Sequence, residues 1–263
     1  MKGFISNNEF MEGIAYKTKN VIIQKIQQGK KRKRTYIIGT GYSLSVDDND
    51  IIIKHDPFMS KFTAEIEKDD TVYAFYFTFE CSGLEASSRE IADFVNHIQE
   101  EYEQIVLVGH SKCGICLTNA SCYCEKAVIL VTISTPYWGT VVADKKKTQE
   151  ILQNSLLIKI YNMIFSDHNV DKDIAPDSIC IKNIRQPICK EHINIVSWLR
   201  GLQDCQTLVD IFLLFWGKIM KIDGDGIVSI GSQCAIGVDR TRTIFCSHAS
   251  SLKKGIEIMK TML

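Results

Sequence analysis

The sequence predicts an α/β fold, a mostly parallel central sheet flanked by helices. Short continuous apolar runs, such as Ile105-Val106-Leu107-Val108 and Ala127 to Ile133 (AVILVTI), read as strands buried on both faces. Stretches of helical apolar spacing lie between such runs, as at Ile91, Phe94, Val95 and Ile98. Alternation of the two patterns at these lengths calls for crossover connections, and so for parallel strands.

Taken in order, residues 1–30 are weakly patterned, with Asn20 to Ile26 (NVIIQKI) a strand or a short helix. Lys30-Lys31-Arg32-Lys33-Arg34 is a run of positive charge that reads first as a solvated loop ahead of a strand. Its other readings are a nuclear signal, a nucleic-acid patch and a peripheral contact with anionic lipid. Thr35 to Ile38 is a strand that runs into Gly39-Thr40-Gly41-Tyr42-Ser43, where two glycines mark a tight turn or a close approach to a ligand. Residues 51–66 mix a short apolar run with a helical pattern led by Pro57. Val72 to Phe79 is an aromatic strand, and Ser87 to Tyr102 a helix with its charges on the outer face. After the strands at 105–108 and 127–133, residues 140–190 change character. Lysines 145–147, a helical stretch from Thr148 to Phe165 and a polar DHNVDKD segment read as an insertion rather than as part of the sheet. Ile193 to Trp198 is a strand, 204–221 an apolar helix, Thr243 to Cys246 a last strand and Ser250 to Leu263 a closing helix.

The bulk composition narrows the function classes. With 263 residues the chain has room for one large α/β domain or two small ones. The balance of 31 basic and 31 acidic residues gives no global field for nucleic acid, and none is expected as a partner. The polar turn at Met1 to Asn8 leaves no secretory pattern, and no apolar run reaches the ~18 residues of a membrane span. The most apolar segment, Leu208 to Trp216, is short and contains Asp210. A cytoplasmic protein with its ten cysteines reduced is the expectation. Cys113-x-x-Cys116 and Cys122-x-Cys124 lack the paired spacing of a zinc site, so they read as small buried side chains; neither metal nor cofactor is expected.

Chemistry concentrates at Gln104 to Gly114, QIVLVGHSKCG. A serine on a tight turn between a buried strand and a helix is forced outward, and the free N–H groups of the helix start face developing negative charge. Ser111 is therefore a candidate nucleophile, with an ordinary βα-loop serine or a helix cap as the alternative. In the G-x-S-x-G pattern of such turns the last position is Cys113 here, and Gly114 follows one place later. A serine hydroxyl needs a base, and the base an orienting carboxylate. Asp223-Gly224-Asp225-Gly226-Ile227-Val228 and His248, just after the last strand, supply both in the order Ser, Asp, His. Either aspartate could instead be a turn residue; a calcium loop is disfavoured, because only two acids cluster and no glutamate follows. His55, His97, His168 and His192 stand outside any motif and read as surface or structural, and His110 packs under the turn.

These landmarks together resemble the lipase branch of the α/β-hydrolase superfamily. GHSKCG resembles its GHSxGG elbow, VTISTPYWGT its T-x-x-T-P-x-x-G segment, and DGDGIVSIGS its D-G-x-V-x-x-x-S acid loop. SHAS resembles its histidine loop, and IIGTGYS its H-G-x-G-x-S oxyanion turn with Ile38 in place of the usual histidine. The likeness spans about residues 35–140 and 190–263. It implies one α/β-hydrolase domain over 1–263 with a helical cap at 140–190, which 201–222 is a candidate to extend. It implies Ser111 as nucleophile, His248 as general base and then acid, and Asp225, whose position before Gly-x-Val favours it over Asp223, as the orienting acid. The backbone N–H groups of Thr40 and Lys112 would form the oxyanion hole. Gly41 and Tyr42 would border the substrate; Tyr137 and Trp138 would line the acyl pocket or belong to the core. The implied activity is hydrolysis of carboxylic esters, lipids among them, through an acyl-enzyme. The rivals are an acyltransferase of the same fold, a binding module that kept the fold without catalysis, and an enzyme docked through 30–34. The sequence sets no oligomeric state.

Overall fold

The computed structural model describes residues 13–30, 33–41, 66–78, 80–153, 155–164, 169–235 and 237–263. Lys31, Arg32, Tyr42, Ser43, His55, Pro57 and His168 lie outside that set, and so do the elements expected at 51–65.

The apolar runs become strands of one sheet: β1 (Ile14–Lys17), β2 (Val21–Gln27), β3 (Arg34–Gly39), β4 (Thr71–Phe77), β5 (Gln104–His110), β6 (Ile129–Ile133), β7 (Glu191–Ser197) and β8 (Arg240–Ile244). Their spatial order is β1-β2-β4-β3-β5-β6-β7-β8. From β4 to β8 every neighbouring pair is parallel; β1 and β2 add an antiparallel edge. The helices are α1 (Leu84–Ile98), α2 (Lys112–Ser121), α3 (Lys145–Leu152), α4 (Ser155–Ile164), α5 (Asn169–Lys172), α6 (Ile179–Lys182), α7 (Leu208–Met220) and α8 (His248–Met262).

Both faces of the sheet are covered, which explains the unbroken apolar runs. Ile37, Phe75 and Leu107 pack with Ile91, Phe94 and Val95 of α1 and with Ile115 and Leu117 of α2. Their neighbours in sequence, Ile38, Val106 and Val108, pack on the opposite face with Leu252, Ile256 and Met259 of α8. That alternation is the period of two of a strand. Each fully buried aliphatic side chain contributes about 1.5–3 kcal/mol, so Leu107→Ala in the middle of β5 would cost about 2–5 kcal/mol. A third apolar cluster, Val142, Leu152, Tyr161, Trp216 and Met220, joins α3, α4 and α7 away from the sheet.

Register places the functional turns side by side. Gly39 pairs with Gly109, and His110 with Ile133. β3, β5 and β6 therefore finish level, and Thr40, Ser111 and Ser134 leave the sheet at one end. Arg34 pairs with Gln104 at the other end of the same strands, so the described part of the basic run lies at the pole opposite Ser111.

Several boundaries differ from the sequence expectation. The segment at 20–26 is a strand, and β1, a half-buried tetrapeptide, was not anticipated. The helix expected at Ser87 begins at Leu84, because its first amide is capped by the distant Asp173, whose Oδ2 accepts the Leu84 N–H at 2.7 Å. The stretch expected as one helix over Thr148 to Phe165 is two, α3 ending where Gln153 turns left-handed at φ 46°. The last strand runs over Arg240–Ile244 rather than 243–246: an exposed edge strand rich in Arg and Thr carries little apolar signal.

Candidate active site

Ser111 occupies the turn between β5 and α2 at φ 55°, ψ −132°, a conformation non-glycine residues rarely adopt. The turn is held by the Ser111 N–H on the Ile133 carbonyl at 2.9 Å and by the Gly114 N–H on the Ser111 carbonyl at 2.9 Å. It closes only because nearby positions lack side chains. A Cβ on Gly109 would stand 2.5 Å from the Gly114 Cα, and one on Gly114 would stand 1.8 Å from Thr135 Oγ1. Cys113, at the position where the pattern has glycine, fits because it faces another glycine: a Cβ on Gly39 would lie 2.7 Å from the Cys113 Cβ.

His248 is the first residue of α8. Its Nε2 lies 3.0 Å from Ser111 Oγ and its Nδ1 lies 2.8 Å from Asp225 Oδ2. An ionised carboxylate only accepts, so Nδ1 carries the proton and Nε2 is left to accept from the serine hydroxyl. The Asp225 carbonyl also accepts the His248 N–H at 2.9 Å. Asp225 is fully buried. Its Oδ1 accepts the N–H groups of Ile227 (3.0 Å) and Val228 (2.8 Å), and its Oδ2 accepts the Ser197 hydroxyl at 2.7 Å. Burial alone would raise its pKa; the neighbouring His248, the Ser197 hydroxyl and the Val228 amide together outweigh that and hold it below the ordinary carboxylate value. Asp223, the competing acid, is exposed and accepts the Trp198 Nε1–H at 3.1 Å.

The turn at Thr40 and Gly41 lies against Ser111. Gly41 is left-handed at φ 77°, and a Cβ there would stand 2.8 Å from the Ser111 Cβ. The Thr40 carbonyl accepts from His110 Nδ1 at 2.6 Å, and the Gly41 N–H donates to Cys113 Sγ at 3.3 Å. Lys112 is the first residue of α2 and directly follows Ser111 at the start of that helix. Its side chain turns away: Nζ is 2.6 Å from Asp171 Oδ1.

His110 lies beneath the turn with its ring 4.7 Å from that of His248. Its Nε2 lies 3.0 Å from Ser251 Oγ. Burial and then the adjacent His248 hold its pKa down at about 3, so it stays neutral. His192 is fully buried and lies within hydrogen-bond reach of Thr132 Oγ1 and the Tyr137 hydroxyl. Tyr137 is buried, with its hydroxyl 3.1 Å from Thr118 Oγ1. Trp138 is 54% exposed, with its indole N–H on the Cys234 carbonyl at 3.0 Å.

The structure thus brings together Ser111, Asp225, His248, Thr40, Gly41 and Lys112, while Tyr42 lies outside the described residues. Sequence reasoning missed Ser197 and Gln233. Gln233 accepts the Ser197 N–H through Oε1 at 2.7 Å and donates from Nε2 to the Ser197 carbonyl at 2.9 Å. Ser197 ends β7 in the row of strand ends, a position that marks it; nothing in the sequence marks Gln233.

No family model matches the chain, and no curated protein matches it by sequence. Solved structures do. A Bacillus licheniformis lipase in its mature form superposes with TM-score 0.58 at 15% identity, over 90% of this chain and 92% of that one. A metagenomic carboxyl esterase gives 0.51 at 13%, over 84% and 66%, and a type II thioesterase from the yersiniabactin biosynthetic pathway gives 0.50 at 8%, over 91% and 96%. Likeness at such identities establishes architecture alone, and the architecture of this chain is the α/β-hydrolase fold.

Proposed function

We propose that the chain is a serine ester hydrolase that works through an acyl-enzyme, with Ser111 as nucleophile, His248 as base and acid, and Asp225 as its orienting carboxylate. One observation carries the reading: the continuous relay from Ser111 Oγ through the imidazole to a buried, ionised Asp225. His248 Nε2 takes the hydroxyl proton as Ser111 Oγ bonds to the acyl carbon. The oxyanion forms opposite the Thr40 and Lys112 amides, each contributing about 3 kcal/mol to the transition state. Collapse breaks the ester bond, and the imidazolium gives its proton to the leaving alcohol or thiol. Water then repeats the sequence on the acyl-enzyme and frees the acid.

In this reading the whole chain is one hydrolase domain, and residues 140–190 with 201–222 form its cap. The separate apolar cluster of α3, α4 and α7 supports this, as do the parallel rings of Tyr161 and Trp216, 6.5 Å apart between centroids. The apolar character of α4 and α7 suits a hydrophobic acyl group. Ser111→Ala should abolish turnover of p-nitrophenyl esters while leaving the circular dichroism spectrum intact, and a fluorophosphonate should label Ser111 alone. Turnover that persists in the variant ends the assignment. A chain-length series run on oxygen esters and on thioesters then sets the substrate class.

A further inference from the structure

Asp210 was read in the sequence only as a charge interrupting an apolar segment. In the structure it is fully buried and tied to the start of the catalytic helix. Its Oδ2 accepts the N–H groups of Gln206 and Thr207, each at 2.8 Å, and the Thr207 hydroxyl accepts the Asp210 N–H, which makes a capping box at the start of α7. A capping box needs one carboxylate oxygen and no burial. The second oxygen, Oδ1, accepts the hydroxyls of Ser247 and of Ser250, the latter at 2.7 Å. Ser247 is the cap of α8 and accepts the Ser250 N–H at 3.3 Å. One carboxylate therefore joins two helix starts, and the residue next to Ser247 is His248.

We infer that Asp210 is a positioning residue for His248, fixing the start of α8 and compensating the charge that the imidazole gains during turnover. The inference rests on the proposed hydrolase reading. Geometrically, His248 opens the first turn of α8, and Asp210 holds the two serines of that turn that flank it, Ser247 and Ser250, while Asp225 holds the His248 N–H and ring. Electrostatically, a cation at a helix N-terminus is disfavoured by the helix dipole, and a buried negative charge beside that terminus offsets the penalty. The carboxylate stays ionised, because its hydroxyl and amide donors outweigh the effect of burial and hold its pKa low. The other ionisable groups about His248 are Asp225, which it contacts, His110, which is neutral, and Cys246, whose thiol burial pushes up to about 12. Further off, Lys254 is bonded to the Phe245 carbonyl, and Arg200 is paired with Asp204.

The experiment compares the wild type with Asp210→Asn, Ser250→Ala and Thr207→Ala in ester hydrolysis across pH. The asparagine can accept the two amides through its oxygen and donate to the two serines, so it keeps the clamp and loses the charge. Asp210→Asn should lower kcat about 10–100-fold with KM little changed, and should move the acid limb of the profile down by about half a pH unit or more. Ser250→Ala should lower kcat several-fold with the limb in place, and this variant carries the test if Asp210→Asn does not fold. Thr207→Ala, which weakens only the cap of α7, should lower the melting temperature without moving kcat or the limb. Equal small losses in Asp210→Asn and Thr207→Ala, with the limb fixed in both, would reduce Asp210 to a helix cap and overturn the inference. An NMR titration of the His248 ring, assigned against His248→Gln, reads the same shift without turnover. An inactive wild type whose His248 pKa still falls in Asp210→Asn would therefore count against the hydrolase reading and not against the clamp.

Discussion

Cys113 Sγ accepts the main-chain N–H of Gly41, while the carbonyl of the same peptide, that of Thr40, accepts from His110. The peptide plane between Thr40 and Gly41 is thus pinned at both ends by the two residues that lie one before and two after Ser111. The cysteine that departs from the glycine pattern of the elbow joins it to the turn at Thr40 and Gly41, and the glycine it displaces has its counterpart at Gly39. The pinned peptide directly follows the Thr40 N–H in the chain, and rotating its plane breaks both bonds.

Gly41→Ala tests this arrangement. The new Cβ would meet the His110 carbonyl at 2.7 Å and the Ser111 Cβ at 2.8 Å, on a residue already left-handed at φ 77°. Loss of one oxyanion donor alone costs about 10²–10³ in kcat, and a decrease of that size with KM little changed is expected in steady-state kinetics. A variant with wild-type kcat would show that the turn plays no part in the chemistry.

Asp225→Asn keeps the shape of the acid loop and removes the charge that selects the Nδ1–H tautomer of His248. Turnover should fall about 10⁴-fold, with fluorophosphonate labelling slowed in step. The amide oxygen can keep the two loop N–H groups of Oδ1, while its NH₂ donates to the Ser197 hydroxyl or to His248 Nδ1, so stability in urea titration should fall by no more than about 1–3 kcal/mol.

Asp171→Asn probes the tie between α5 and the elbow. The Lys112 side chain is only 5% exposed and its ammonium lies 2.6 Å from the Asp171 carboxylate. Neutralising one partner of a buried charge pair should destabilise by about 2–4 kcal/mol, seen as a lower urea midpoint. The Lys112 amide, not its side chain, serves the reaction in the proposed mechanism, so kcat at saturating substrate should hold within about threefold.

Acid should weaken the fold well above the carboxylate range. His110 and His192 are buried and neutral, with pKa values held down at about 3 and about 4. Unfolded, each takes a proton near pH 6.5, so the unfolded state binds more protons as pH falls below that value. Their contribution is full above about pH 6.5 and is lost progressively towards pH 4, at up to about 1.4 kcal/mol per pH unit for each histidine. The low pKa of Asp225 acts in the same sense further down, its contribution lost as pH falls through the carboxylate range. Urea titrations at pH 7, 6 and 5 read the slope; a flat response would show that neither histidine is buried neutral.

Much of this molecule was legible from residue patterns, because a parallel sheet covered on both faces writes its strands as unbroken apolar runs. Ile105 to Val108 and Ile193 to Trp198 read as strands for that reason, and the glycines at 39, 41 and 109 mark the ends where the turns crowd together. Signals failed where the determinant is distant or absent. The start of α1 depends on Asp173, which lies far along the chain, and β8 is an exposed edge whose Arg and Thr side chains look like loop. Asp223 and Asp225 could be ranked only by motif position; the fold separates them by burial. Tyr137 shows the limit of composition, since a large aromatic beside a functional segment looks the same whether its hydroxyl reaches a ligand or, as here, Thr118 and His192.

Chain order carries one more consequence, for biosynthesis. Ser111 directly follows β5, whereas His248 follows β8 at the far edge of the sheet. A polypeptide emerging from the ribosome can shape the serine turn long before the histidine has been translated. In the proposed mechanism, any fragment halted short of position 248 lacks the base, and its serine should stay unreactive towards esters.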